Sequence, residues 1–149
     1  SLVTDAFSRK IMGYELSDDM SSENVAKALS MALRNRKTNL PLIHHSDRGL
    51  QYCSSIYQNK LRQSDIKPSM TEGGNCYQNA LAERINGILK QEFLFQKCNT
   101  GKDLKKLISE SIKTYNNERP HLNLKMKTPT FFVYICKHPS GYQNSQILI

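Results

Sequence analysis

The feature that most limits the possible folds is a short apolar run, Leu40 to His45, closed by Ser46-Asp47-Arg48-Gly49. It is too short for a core helix and is bounded by turn signals, so it reads as a buried strand. Helix-period segments stand on both sides. In residues 21–36, Val25, Ala28, Leu29, Ala32 and Leu33 fall on the i, i+3, i+4, i+7, i+8 stripe. Ser21 is the expected N-cap, with Met20 and Val25 spaced as a hydrophobic staple. Arg34, Arg36 and Lys37 suit the negative end of the helix dipole. Downstream, Ser54 would cap a helix to about Arg62 with Ile56, Tyr57 and Leu61 inward.

The remaining segments extend this alternation. Leu2-Val3-Thr4 and Ile11 to Leu16 read as a hairpin around a turn at Asp5 to Arg9. Ile66 to Met70 reads as a strand in which Pro68 disfavours a central position. A helix is expected from about Tyr77 to Gln96, with Leu81, Ile85, Ile88, Leu89 and Phe93 on its core stripe. On its other face Glu83, Gly87 and Lys90 follow at i, i+4 and i+7. Another helix is expected from about Gly101 to Asn116, with Leu104, Leu107, Ile108 and Ile112 inward, broken at Arg119-Pro120-His121. From Lys137 the chain is polar and turn-rich, and no regular structure is expected. The order is strand, strand, helix, strand, helix, strand, helix, helix: an α/β chain with a mixed sheet flanked by helices. Residues 1–130 are expected to form the core and 131–149 a tail.

With 149 residues there is enough chain for one proper core. Nothing approaches 18 consecutive apolar residues, so no membrane span is expected. The start, Ser1-Leu2-Val3, lacks the features of a signal peptide. Beginning inside an apolar segment, it suggests that a preceding part is missing. Cys53, Cys76, Cys98 and Cys136 are scattered without a CxxC pair, which argues against a zinc site and fits reduced thiols. Of His44 and His45, consecutive on a strand, at most one can face a given site.

The formal net charge is +8. From Arg84 to Lys127 ten Lys and Arg stand against four Asp and Glu. That balance suits a polyanion, most often nucleic acid, although a merely well-solvated basic protein has the same composition. The absence of Trp and of an aromatic-rich basic stripe argues against a dedicated single-strand stacking platform.

Asp47 and Glu83, with thirty-five residues between them, are the candidate catalytic pair: one at the end of a strand, the other on the first turns of a helix. Phosphodiester cleavage and strand transfer need an activated oxygen nucleophile and a stabilised leaving oxygen. Two Mg²⁺ ions roughly 3.5–4 Å apart, held by carboxylates, can supply both. Taken singly, Asp47 also reads as a turn residue, Glu83 as an exposed helix charge and Lys90 as a solvated lysine. Their contexts decide.

His45-Ser46-Asp47-Arg48-Gly49-Leu50-Gln51-Tyr52 resembles the second-aspartate motif of bacterial insertion-sequence transposases with a retroviral-integrase-type core. Ser69-Met70 followed by Gly74-Asn75-Cys76-Tyr77-Gln78-Asn79-Ala80-Leu81-Ala82-Glu83 resembles their glutamate motif. Asp5 to Tyr14 resembles their first hairpin. Tyr115 to His121 with Thr128-Pro129 resembles their C-terminal signature. The likeness covers about residues 1 to 130 and is closest to the insertion-sequence-three group.

This resemblance implies a ribonuclease-H-like fold lacking its first strand, and a DDE site using Mg²⁺ or Mn²⁺ held by Asp47 and Glu83. It also implies DNA partners (transposon ends and target), a homodimer or higher oligomer, and a bacterial cytoplasmic, nucleoid-associated setting. Lys90 corresponds to a transposon-end contact. Asn79 would support the site or the helix start, or touch DNA. Arg119 and His121 would brace the fold or contact DNA, bracing being preferred. The first acid of the triad has no counterpart here. Asp5 lies in the hairpin, where a turn hydrogen bond near Ser8 and Arg9 is its expected role. The implied function is metal-dependent cleavage and strand transfer. An inert remnant that only binds DNA or self-associates is the main alternative, and a ribonuclease-H-like nuclease is a third reading.

Overall fold

The structure, a computed structural model, describes residues 1–38, 40–71, 80–94, 98–136 and 146–148. It divides into two compact units, Ser1–Ala82 with Gln143–Ile149, and Glu83–Tyr142.

The first unit is a sheet covered by helices. Strands β1 (Leu2–Asp5) and β2 (Ile11–Tyr14) form the expected hairpin, antiparallel in the register Leu2↔Tyr14 and Val3↔Gly13, with an irregularity after Val3. Helix α1 (Ser22–Asn35) buries Val25, Ala28, Leu29 and Ala32, the predicted stripe. Ser21 holds the N-cap position without a side-chain cap bond, and Met20 is 65% exposed, so the expected cap bond and staple are not formed. The polar group that takes up the preceding turn is Asp19, whose carboxylate accepts from Ser21 N and Asn24 Nδ2.

Strand β3 (Leu42–Ser46) buries every second residue, Leu42, His44 and Ser46. After it come α2 (Leu50–Cys53), a short turn of helix that the sequence pattern did not signal, and α3 (Ser55–Gln63). The Ser54 hydroxyl accepts from Tyr57 N at 3.2 Å and caps α3 as expected. Tyr57 and Leu61 point inward, but Ile56 is 47% exposed, because one short helix can turn only one stripe to the core. Strand β4 (Ile66–Met70) runs parallel to β3 from Leu42↔Ile66 to Ser46↔Met70. It is an edge strand, where Pro68 leaves no interior ladder bond unmade. The core joins Val3, Leu42 and Ile66 of the sheet to the α1 stripe, Tyr52, Tyr57 and Leu61.

The sheet order is β2-β1-β5-β3-β4. Its middle strand, β5, is Gln146–Leu148, from a stretch expected to have no regular structure. It pairs antiparallel with β1 through Thr4↔Leu148 and Asp5↔Ile147. It pairs parallel with β3 from Ile43↔Gln146 to His45↔Leu148. Three residues carry too little pattern to announce a strand; two open ladders on either side make it one.

Helix α4 (Ala80–Ile88), all but its first three residues in the second unit, opens into a π-helical turn, Leu89–Phe93, closed by Leu94 N donating to Leu89 O at 3.0 Å. The expected helix ends at residues 77–79 and 95–96 lie outside the described residues. Helix α5 (Gly101–Asn117) is capped by Thr100, whose hydroxyl accepts from Asp103 N. Its buried residues are Ser111, Ile112, Tyr115 and Asn116, while Leu104, Leu107 and Ile108 are only half-buried. The chain breaks after it at Pro120 and forms a short 3-10 turn, Leu122–Leu124. Helix α6 (Pro129–Cys136) begins with Pro129 at its first position, and the Thr128 hydroxyl accepts from Phe131 N.

Candidate functional site

Asp47 belongs to the first unit; Glu83, Lys90 and Arg119 belong to the second. Asp47 follows the last residue of β3, at the carboxyl end of a parallel strand, the usual place for ligands in open α/β sheets. Its Oδ1 accepts from Gly49 N at 2.8 Å, which fixes the turn into α2. Beside it, Arg48 Nε donates to Thr71 O at 2.8 Å, and Thr71 N donates to Ser46 O at 3.1 Å. These bonds tie the ends of β3 and β4 together and hold the carboxylate on a rigid edge. No described residue donates to Asp47 Oδ2. The Asp47 charge also acts on the Tyr52 phenol, which burial first, then Asp47, push up to about 12.

The two adjacent histidines separate as the strand period requires. His44 turns into the core, 1% exposed, where its Nε2 meets the Tyr57 hydroxyl at 3.0 Å. His45 lies on the opposite face from His44, and its Nδ1 meets Ser69 Oγ of β4 at 3.0 Å. Its Nε2 is buried and has no partner among the described residues. The His45–Ser69 pair was not foreseen, since Ser69 comes from a separate strand.

Asp5 accepts at Oδ1 from Phe7 N and at Oδ2 from Ser8 N and from Ser8 Oγ, the last at 2.5 Å. Both oxygens are occupied in the hairpin turn, the expected role.

Glu83 and Lys90 are both exposed and Gly87 between them is half-buried, so the i, i+4, i+7 set does lie off the buried side marked by Ile85 and Leu89. A side chain added at Gly87 would meet nothing within 4 Å, so that face is open. Lys90 stands in the π-helical turn, a departure from regular helix often found at functional positions. Asn79 lies outside the described residues. Arg119 grips Glu92 with two bonds of 2.6 Å, from Nε and Nη2, and its Nη1 donates to Pro120 O. His121 is 9% exposed and its ring packs edge-on to Tyr115 at 5.0 Å between centroids.

The Asp47 and Glu83 carboxylates are hard oxygen donors of the kind Mg²⁺ and Mn²⁺ take. Among the described residues, no three His, Cys, Asp or Glu side chains gather into one cluster. No helix among them is long and apolar enough to cross a membrane.

The mixed sheet flanked by helices is a ribonuclease-H-like core, as in solved integrase catalytic cores. The chain belongs to the integrase core domain family, which matches it over residues 1–76 and again over residues 64–129. It is of the kind found in bacterial insertion-sequence transposases. The chain is 39% identical over 132 residues to the insertion element IS600 uncharacterized 31 kDa protein of Shigella sonnei, covering 87% of this chain and 48% of that one. It is 36% identical over 130 residues to the putative transposase InsK for insertion sequence element IS150 of Escherichia coli K12, covering 87% and 46%. The chain thus spans about half the length of these relatives. Among solved structures it is similar to the HTLV-2 integrase catalytic core domain in complex with magnesium, with a TM-score of 0.63, 25% identity, and coverage of 87% of this chain and 81% of that one. It is also similar in fold to a chain of the simian T-cell lymphotropic virus intasome, with a TM-score of 0.77, 22% identity, and coverage of 94% and 49%.

Proposed function

We propose that this chain is the catalytic core of a DNA transposase, acting in metal-dependent phosphodiester cleavage and strand transfer. The observation that carries this reading is the strand-end carboxylate of Asp47. One oxygen is fixed by Gly49 N, the other accepts from no described residue, and the surrounding turn is braced by Arg48 and Thr71. Asp47 and Glu83 would hold a divalent cation, as the magnesium in the HTLV-2 core supports. Such a cation supplies positive charge that makes an attacking water or 3′-hydroxyl more acidic and stabilises the leaving oxygen. Attack on the phosphate is direct and in line, with no covalent link to the protein. Lys90 contributes a transposon-end phosphate contact, and the basic stretch around it adds sequence-tolerant ones. Asn79 supports the helix that carries Glu83, and Arg119 braces the second unit through Glu92. The working form is a homodimer or higher oligomer; one HTLV-2 core is described as dimeric and another as trimeric.

The sheet also suggests where a further acid would enter. β1 and β3 do not pair with each other; the seat between them is taken by Gln146–Leu148. We place the missing aspartate on a preceding strand in that seat, antiparallel to β1 and parallel to β3. Gln146, Ile147 and Leu148 bring no carboxylate to it. That favours a second reading for the chain by itself, a DNA-binding form without catalysis.

The test is a strand-transfer assay with Mn²⁺ on the chain as given and on one extended by its upstream coding sequence. The extended form should be active. Asp47→Asn or Glu83→Gln should each lower its rate by at least about a hundredfold with DNA binding kept. An extended form that binds DNA but transfers no strand would establish the second reading. An active one indifferent to Glu83→Gln would refute the site.

A further inference from the structure

We propose that the groove between the end of α5, the turn after Leu124 and helix α6 binds unpaired nucleotides of a DNA strand, stacking bases on Phe131 and Tyr134 and meeting a phosphate with Lys127. The proposal rests on the reading that the chain works on DNA, but not on metal chemistry at Asp47 and Glu83. All of these residues lie in the second unit.

The groove has a volume of about 620 Å³ and is lined by Asn117, Met126, Lys127, Thr130, Phe131 and Tyr134, among others. That is within the range of pockets that hold small organic ligands. Two aromatic rings in it face solvent, Phe131 at 45% exposure and Tyr134 at 64%. Their centroids are 6.5 Å apart with planes inclined by 35°. Lys127 Nζ sits 5.1 Å from the Phe131 centroid. A flat apolar surface and a cation are therefore next to each other, as a nucleotide with its base and phosphate requires.

The turn that builds the groove is held in an uncommon backbone. Lys125 at φ 53° and Met126 at φ 58° both adopt the left-handed region that side chains rarely take. Three backbone bonds of 3.0 Å keep them there: Lys125 N to Leu122 O, Met126 N to His121 O and Lys127 N to Leu124 O. Strain over-determined in this way concentrates at ligand clamps. The wall also contains Thr130 Oγ1, buried and without a partner among the described residues. Among the described residues, none lining the groove is acidic. A second copy of this chain would bring the same lysine against this one, like charge against like, whereas a polyanion with apolar faces satisfies the rings and the ammonium group together. The missing Trp and the lack of an aromatic-rich basic stripe argued against a stacking platform from sequence alone; Lys127 and Phe131 stand four residues apart, and the start of α6 brings them together.

The chain has no tryptophan, so Phe131→Trp gives a single reporter. Its fluorescence should be quenched by an oligothymidylate of about ten nucleotides and unchanged by a blunt duplex of the same length. In anisotropy titrations, Phe131→Ala with Tyr134→Ala should weaken single-strand binding by roughly tenfold or more, while Tyr134→Phe retains it. Duplex affinity should stay within about twofold in each variant, and thermal melts should show all of them folded. If the chain binds both DNA forms but the reporter is not quenched and the double variant binds as before, the groove assignment is overturned while the DNA reading stands. Equal quenching by duplex overturns the preference for unpaired bases. A reporter signal that follows protein concentration without DNA means that a second copy covers the face, and also overturns it. A chain that binds neither DNA form removes this proposal and the DNA reading together.

Discussion

The Tyr57 hydroxyl and His44 Nε2 lie 3.0 Å apart inside the first unit, two fully buried polar side chains pairing from helix to strand. The tilted rings are 5.6 Å apart, and Tyr52 packs edge-on to Tyr57 at 5.4 Å. Burial first, then the neighbouring His45 charge, lowers the His44 pKa to about 4. In the unfolded chain the imidazole takes up a proton below about 6.5.

A pH dependence of stability follows. Above pH 6.5 His44 is neutral in both states and contributes no slope. As pH falls from there toward 4 only the unfolded state gains the proton, so stability is lost, on the order of 3 kcal/mol by pH 4 from this group. Urea denaturation at several pH values should show the loss, and His44→Gln should flatten it. An unchanged slope in that variant would remove His44 as the cause. Tyr57→Phe should cost about 1–3 kcal/mol near neutrality by leaving Nε2 buried and unpaired.

Two glycines should respond in opposite ways to alanine. A Cβ at Gly13 would come within 2.2 Å of Ala28 O and 2.6 Å of Ala32 N, so β2 could not stay against α1. Gly13→Ala should lower stability by about 1–3 kcal/mol or more. At Gly87 nothing lies within 4 Å, and Gly87→Ala should raise stability by roughly 0.5–1 kcal/mol through helix propensity. Urea midpoints of the two variants check both signs.

The Arg119–Glu92 pair has good two-pronged geometry but sits at the surface, with side chains 24% and 44% exposed. Arg119→Gln should therefore cost less than about 1 kcal/mol, and the cost should shrink in high salt. Because the guanidinium is committed to Glu92 and Pro120 O, duplex DNA affinity should change by no more than about twofold. A larger drop in a folded variant would give Arg119 a direct DNA role.

Lys90 is exposed and no described residue forms an ion pair with it. As a phosphate contact, its replacement in Lys90→Gln should weaken DNA binding similarly across sequences. The slope of log affinity against log salt should fall by about one. Equal slopes for the variant and the parent would return Lys90 to a plain surface residue.

Much of this was legible without coordinates because it depends on local period. The α1 stripe, the β3 run ending at Asp47, the Ser54 cap and the break at Pro120 are each set by a few neighbouring residues. The cap bond expected of Ser21 is not formed, and Asp19, just before it, accepts from the Ser21 amide and the Asn24 side chain. The motifs around Asp47 and Glu83 pointed to the family, which the match over residues 1–76 then established.

The sequence by itself determined most of the strands and helices, β1 to β4, α1, α3 and α5 among them, since hydrophobic period and capping act over one or two turns. Tertiary structure decided what has almost no local signal. Gln146–Leu148 is a strand because β1 and β3 each present an open ladder to it. His45 finds Ser69 because a parallel register aligns them, and Arg119 finds Glu92 twenty-seven residues away. Pairings of this kind are fixed by long-range geometry, whose energy appears only when the partners have been brought together.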